Sequence, residues 1–107
     1  SNHGGRQLDG SRSPFDQLKT IVDAVGGKIE IIVDGGIRRG THVLKALSLG
    51  ATACSFGKGF LFALSAGGQK GVETILQRMK EELRRDMILL GKKKIEDLGE
   101  ENIAIRN

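Results

Sequence analysis

Residues 28–40 read KIEIIVDGGIRRG, and residues 51–59 read ATACSFGKG. Each stretch opens on a short apolar run and closes on glycine with a basic residue nearby. β-Branched residues favour strands, and glycines punctuate strand ends. The first run therefore predicts a buried strand ending at Asp34-Gly35-Gly36, and the second a strand ending at Phe56-Gly57. Between them, THVLKALSLG (residues 41–50) predicts a short helix with Thr41 as its cap and Gly50 as its stop.

Working outward, SPFDQLKTIVDAVGG (residues 13–27) carries strong helix punctuation. Ser13 suits the N-cap, Pro14 the first helical position, and Asp16 the place of a capping-box acid. Phe15, Leu18, Ile21, Val22 and Val25 then follow a helical stripe, which Gly26-Gly27 ends. Downstream, GVETILQRMKEELRRDMILLG (residues 71–91) predicts a long helix. Val72, Ile75, Leu76, Met79, Leu83, Met87 and Leu90 lie on one of its faces. The remaining KKKIEDLGEENIAIRN (residues 92–107) predicts a short helical turn and a loosely held tail.

Strands alternating with helices through short connections imply a parallel sheet with right-handed crossovers. Two strands cannot build a parallel sheet covered on both faces. The expectation is therefore an α/β fold of which this chain is one part, its opening loop following a strand further upstream. No internal repeat or linker marks a second domain.

Composition narrows the function classes. The chain has 107 residues, a net charge of +4 and 4% aromatic residues, with no Trp or Tyr. Its basic residues are scattered, with no aromatic side chains between them to stack on bases and no zinc-finger spacing, so nucleic acid is not an expected partner. The run Lys92-Lys93-Lys94 follows a helix-ending glycine, where cations complement the helix dipole. No apolar run approaches the ~20 residues that span a bilayer, and the polar N-terminus is no signal peptide. A single cysteine, Cys54, excludes an internal disulfide, and its apolar setting predicts a buried, inert thiol.

The candidate chemistry lies at the strand ends. Glycines after a parallel strand let backbone N–H groups approach a phosphate, and the following helix aims its positive end at the same place. Gly36 with Arg38, and Gly57 with Lys58, would together form such a cradle. In (β/α)8 barrels the loops after the last two strands commonly do this. Asp34 faces the same mouth and can accept hydrogen bonds from ligand hydroxyls or cap the next turn. The opening SNHGGRQLDG (residues 1–10) adds His3 and Arg6. Histidine can take a proton near neutral pH, and arginine can grip a carboxylate through paired hydrogen bonds.

Taken together, SNHGGRQLD, DGGIRRGTHVLKALSLGA and FGKGFLFALSAGGQKGV resemble the C-terminal part of the FMN-dependent L-2-hydroxy acid dehydrogenases and oxidases. That family includes cytochrome-linked L-lactate dehydrogenase, glycolate oxidase, lactate oxidase and mandelate dehydrogenase. The resemblance covers nearly the whole chain and fades over the last dozen residues. It implies a (β/α)8 TIM barrel entered at the end of strand 6 and followed through helix 8. Residues 1–107 would then be the C-terminal segment of one FMN-binding barrel domain, incomplete as a barrel.

By that resemblance His3 is the base that removes a substrate proton as two electrons pass to the flavin, either as hydride from the α-carbon or through a carbanion. Arg6 would bind the substrate carboxylate. Asp34 and Arg38 would meet the ribityl and phosphate portions of FMN, and Gly36 and Gly57 would give N–H groups to the phosphate. Lys58 stands where the family usually has arginine; it keeps the charge and loses the bidentate fork. Gly59 beside it also departs from the usual pattern and loosens the turn. His42 matches no family site and is expected on the surface.

The family's first five strands bring a lysine near the flavin, tyrosines at the substrate and a carboxylate that orients the histidine. This sequence has no counterpart of them, and the 107 residues alone are expected to be inactive without the missing N-terminal part of the barrel. The implied substrate is a small 2-hydroxy acid, with L-lactate favoured by FLFALSAGGQKGV. The implied assembly is a homo-oligomer, a tetramer by family likeness, cytoplasmic or peripheral at the inner face of a membrane. Two other readings stand beside this one. They are a partial barrel that binds phosphate or flavin without redox chemistry, and a basic interaction domain using the lysine run.

Overall fold

The computed structural model describes residue 3 and residues 7–105. Among these the elements run α1 (Pro14–Val25), β1 (Ile32–Asp34), α2 (Gly40–Ser48), β2 (Ala53–Ser55) and α3 (Lys58–Leu89). Two 3-10 turns, Ile95–Asp97 and Glu100–Asn102, follow.

The start of α1 is capped as its sequence dictates. Ser13 Oγ accepts the Asp16 N–H at 3.2 Å and donates to Asp16 Oδ2 at 2.8 Å, and Pro14 occupies the first turn. Gly26 ends the helix in the left-handed conformation, its N–H bonded to Val22 O. The apolar stripe delivers Leu18 into the core at 1% exposure, with Phe15 and Val22 packed beside it. Ile21, on the stripe's edge, stays exposed.

Strands β1 and β2 pair in parallel, in the register Ile32–Ala53, Val33–Cys54 and Asp34–Ser55. Helix α2 makes the crossover between them and packs mainly on α3. The core gathers Leu18, Val33, Ala46, Leu49 and Ala51, with Ile31, Cys54 and Ile103 against it.

The first strand departs from expectation. Only Val33 of its three residues is buried, while Ile29 and Ile32 are about two-thirds exposed. A parallel strand is covered on both faces only when neighbouring strands and helices flank it, and the described residues supply a sheet of two strands. Cys54 is likewise half-buried rather than buried. That burial pushes its thiol pKa up, which favours the protonated, unreactive form.

The cap of α2 also differs. The N-cap is Arg39, with no side-chain cap bond of its own. Thr41 lies inside the first turn, and its hydroxyl donates to Asp86 Oδ2 on α3 at 2.6 Å. The long helix begins earlier than its stripe suggests, at Lys58, and is broken at Gly67 and Gly68, which leave helical geometry. It is thus a short helical segment followed by a long one. Met79 and Met87 carry the long segment's buried face.

The tail from residue 92 to 105 lies against the body of the fold. Lys92 pairs with Glu101 at 3.0 Å, and Glu100 reaches Lys19 of α1 at 2.8 Å. Among the described residues no helix is long and apolar enough to cross a membrane.

Candidate active site at the strand ends

β1 and β2 run in parallel, so their C-terminal ends open on the same side. After Asp34 the chain turns through Gly35 (φ 118°) and Gly36 (φ 76°). Both values lie in the left-handed region that favours glycine. Ile37, 3% exposed, then plugs into the core and anchors the loop. After Ser55, Phe56 leads to Gly57, the N-cap of α3, which has no side-chain cap bond.

A cleft of about 340 Å³ forms where these ends meet. Among the residues lining it are His3, Asp34, Gly36, Arg38, Gly57 and Lys58. Every site residue predicted from sequence is therefore gathered in one cleft except Arg6, which lies outside the described residues. A Cβ added at Gly36 or Gly57 would meet nothing within 4 Å, so both glycines border open space.

Asp34 is the organised group in this cleft. Its Oδ1 accepts the Ser55 hydroxyl from the neighbouring strand at 2.7 Å. Its Oδ2 stands 3.8 Å from His3 Nδ1, beyond direct hydrogen-bond reach. Asp34, expected to face the cofactor, thus also lies beside His3.

The phosphate cradle is less symmetrical than the sequence suggests. The positive end of α2 is not open to a ligand. The Gly40 N–H donates to Glu82 Oε2 at 2.7 Å, and the Arg38 N–H donates to His42 Nδ1 at 3.3 Å. His42 is thus a half-buried residue in the first turn of α2 rather than a plain surface histidine. The helix terminus left facing the cleft is that of α3, at Gly57 and Lys58. A larger groove, about 700 Å³, lies beside α3 and is bordered by Arg38, Arg39, Arg78, Arg85 and Glu82. It is removed from the strand ends except through Arg38, which borders both spaces.

Two glycine-ended parallel strands converging on a basic cleft define a β/α protein whose strand ends have the chemistry of a phosphate site. The chain belongs to the FMN-dependent dehydrogenase family, whose model matches residues 1–105. It is 48% identical to an L-lactate oxidase of Nostoc sp. over 92% of this chain and 27% of the relative. It is 47% identical to an L-lactate dehydrogenase (cytochrome) of Wickerhamomyces anomalus over all of this chain and 20% of the relative. Among solved structures it superposes on a flavocytochrome b2 variant with pyruvate bound, with a TM-score of 0.88 at 39% identity. That likeness covers all of this chain and 31% of the other. The chain therefore spans about a quarter of the length of these relatives, and its small two-stranded sheet is part of the barrel architecture they share.

FMN is the family's cofactor, and the cleft suits its phosphate. Arg38 and Lys58 supply positive charge, while Gly36 and Gly57 offer backbone beside open space. Asp34, an acceptor fixed by Ser55, suits a hydroxyl-bearing chain.

Proposed function

We infer that this segment forms the cofactor-phosphate and substrate-facing mouth of an enzyme that oxidises an L-2-hydroxy acid, L-lactate foremost, to the 2-oxo acid. The observation that carries this reading is the convergence of His3, Asp34, Arg38 and Lys58 on one strand-end cleft. The names of the lactate oxidase and lactate dehydrogenase relatives support the substrate class.

Bound FMN would supply the two-electron acceptor. The chain's own residues do the rest. Arg38 and Lys58 neutralise the phosphate, helped by backbone N–H groups at Gly36 and Gly57. Arg6 holds the substrate carboxylate through paired hydrogen bonds. His3 takes a proton from the substrate, with the Asp34 carboxylate beside it in the cleft.

The segment corresponds to the end of the sixth barrel strand through the eighth helix and acts within a complete barrel. By itself it is inactive. Ile32, Phe60, Leu61 and Phe62 stand exposed, and His3 is largely solvent-facing, so the base lacks the packing that fixes its aim.

The test is anaerobic addition of L-lactate to the complete, FMN-loaded chain. Loss of the oxidised flavin absorbance with one pyruvate formed per flavin supports the reading. A flavin that stays oxidised with L-lactate and with longer L-2-hydroxy acids would mark a binding module without redox chemistry.

A further inference from the structure

Helix α2 begins where no side chain fits. A Cβ at Gly40 would collide with the Met79 carbonyl oxygen and stand 2.6 Å from Leu83 N, both backbone atoms of α3. With no cap from its own N-cap residue, α2 is capped from a distance. Glu82 divides its two oxygens: Oε2 accepts the Gly40 N–H at 2.7 Å, and Oε1 accepts Arg39 Nε at 2.9 Å and also Arg39 Nη2. Arg85 Nη2 braces the arrangement, 3.6 Å from Glu82 Oε1 and 3.1 Å from Asp86 Oδ1. The Glu82 side chain is only 14% exposed.

These contacts fix the loop around Arg38. On one side Ile37 is buried in the core. On the other Arg39 and Gly40 are held by Glu82. The Arg38 N–H is itself tied to His42. Of the two adjacent arginines, one is committed to α3 and the other borders the strand-end cleft.

We propose that Glu82 is a positioning residue for the strand-end phosphate site, holding the Arg38 loop in place by gripping Arg39 and Gly40 from α3. This rests on the phosphate reading given above. Glu82 does not border the cleft; it acts through the two residues it binds.

Charge alone gives the opposite sign. Glu82 is a negative group near an anion site, so its removal would strengthen phosphate binding if through-space attraction dominated, the more so with Arg39 released. Positioning predicts that removal weakens binding, because a loosened loop must be ordered when the ligand arrives.

The experiment is titration of the complete apoprotein with FMN and with riboflavin, which lacks the phosphate, following flavin fluorescence. Wild type, Glu82→Ala, Glu82→Gln and Arg38→Ala are compared. Glu82→Ala is expected to weaken FMN about tenfold while riboflavin stays within about twofold, by analogy with residues that orient direct ligands. Glu82→Gln keeps an acceptor for Gly40 and is expected to fall between wild type and Glu82→Ala. If Glu82→Ala does not fold, Glu82→Gln decides: a loss confined to FMN upholds the role, and unchanged FMN affinity overturns it. Tighter FMN binding, or equal losses for both flavins, also overturns it. Wild type without preference for FMN, or Arg38→Ala without effect, overturns the phosphate reading and this role together. A preserved FMN preference that depends on Arg38 and not on Glu82 overturns the positioning role alone.

Discussion

Ser55 and Asp34 face each other across the parallel pair, and the Ser55 hydroxyl donates to Asp34 Oδ1 at 2.7 Å. The bond joins the ends of both strands and leaves Oδ2 of Asp34 directed toward His3. One register pair of the sheet thus sets the aim of the carboxylate at the centre of the cleft.

Ser55→Ala is therefore expected to weaken flavin binding about fivefold, the equivalent of one ordinary hydrogen bond. Because Asp34 is assigned to the ribityl chain rather than the phosphate, FMN and riboflavin should lose affinity alike. A loss confined to FMN would contradict that assignment.

The contact between α2 and α3 makes a second prediction, for stability. Gly40→Ala drives a methyl into the α3 backbone at Met79 and Leu83 and should cost about 3 kcal/mol, at the upper end for overpacking. Leu18→Ala, which empties the most buried core side chain, should cost about 2–5 kcal/mol. Urea unfolding of the complete chain checks both. A Gly40→Ala variant as stable as wild type would show that α2 can move off α3.

Acid sensitivity follows from the Glu82 carboxylate that caps α2. Its hydrogen bond from Arg39, and then the Gly40 N–H, hold the Glu82 pKa below the ordinary 4.5. Lys92 does the same for Glu101. The unfolded chain therefore takes up these protons first as acid is added. Their stabilisation is present above the ordinary value and is lost as pH falls through the depressed folded values. Lys19 is raised above 10.5 by Asp23 and Glu100, so its contribution is lost only as pH rises through that higher value. Glu82→Gln should flatten the acid limb of Tm against pH and leave the alkaline limb unchanged.

Ser48 provides a contrasting case. Its Oγ is buried without a hydrogen-bond partner among the described residues, and such a group costs about 1–3 kcal/mol. Ser48→Ala should leave stability unchanged or raise it by up to about 1 kcal/mol. A clear loss in urea unfolding would reveal a partner for that hydroxyl in the complete chain.

The parts of this architecture that were legible in sequence are those governed by neighbours along the chain. The Ser13-Pro14-Asp16 start of α1 and the glycine-ended strands declare themselves locally, and the strand ends carried Asp34, Gly36, Arg38, Gly57 and Lys58 into one cleft. What sequence missed depends on partners far away along the chain. Thr41 has the chemistry of a cap, yet the cap is Glu82, because only tertiary packing brings the α3 carboxylate to Gly40. The exposure of Ile32 has the same origin: a β-branched run predicts a strand and cannot say which neighbours cover it. His42 gave no sign of its bond to Arg38, since one histidine in a first helical turn fits many roles.

The central claim is that His3 acts on the substrate while Arg38 and Lys58 hold the cofactor. The most direct measurement is stopped-flow bleaching of the complete FMN-loaded His3→Asn chain by L-lactate. Flavin content should match wild type, and bleaching should slow by about a hundredfold or more, the range for loss of a general base. A His3→Asn enzyme that holds FMN and is bleached at the wild-type rate would contradict the account.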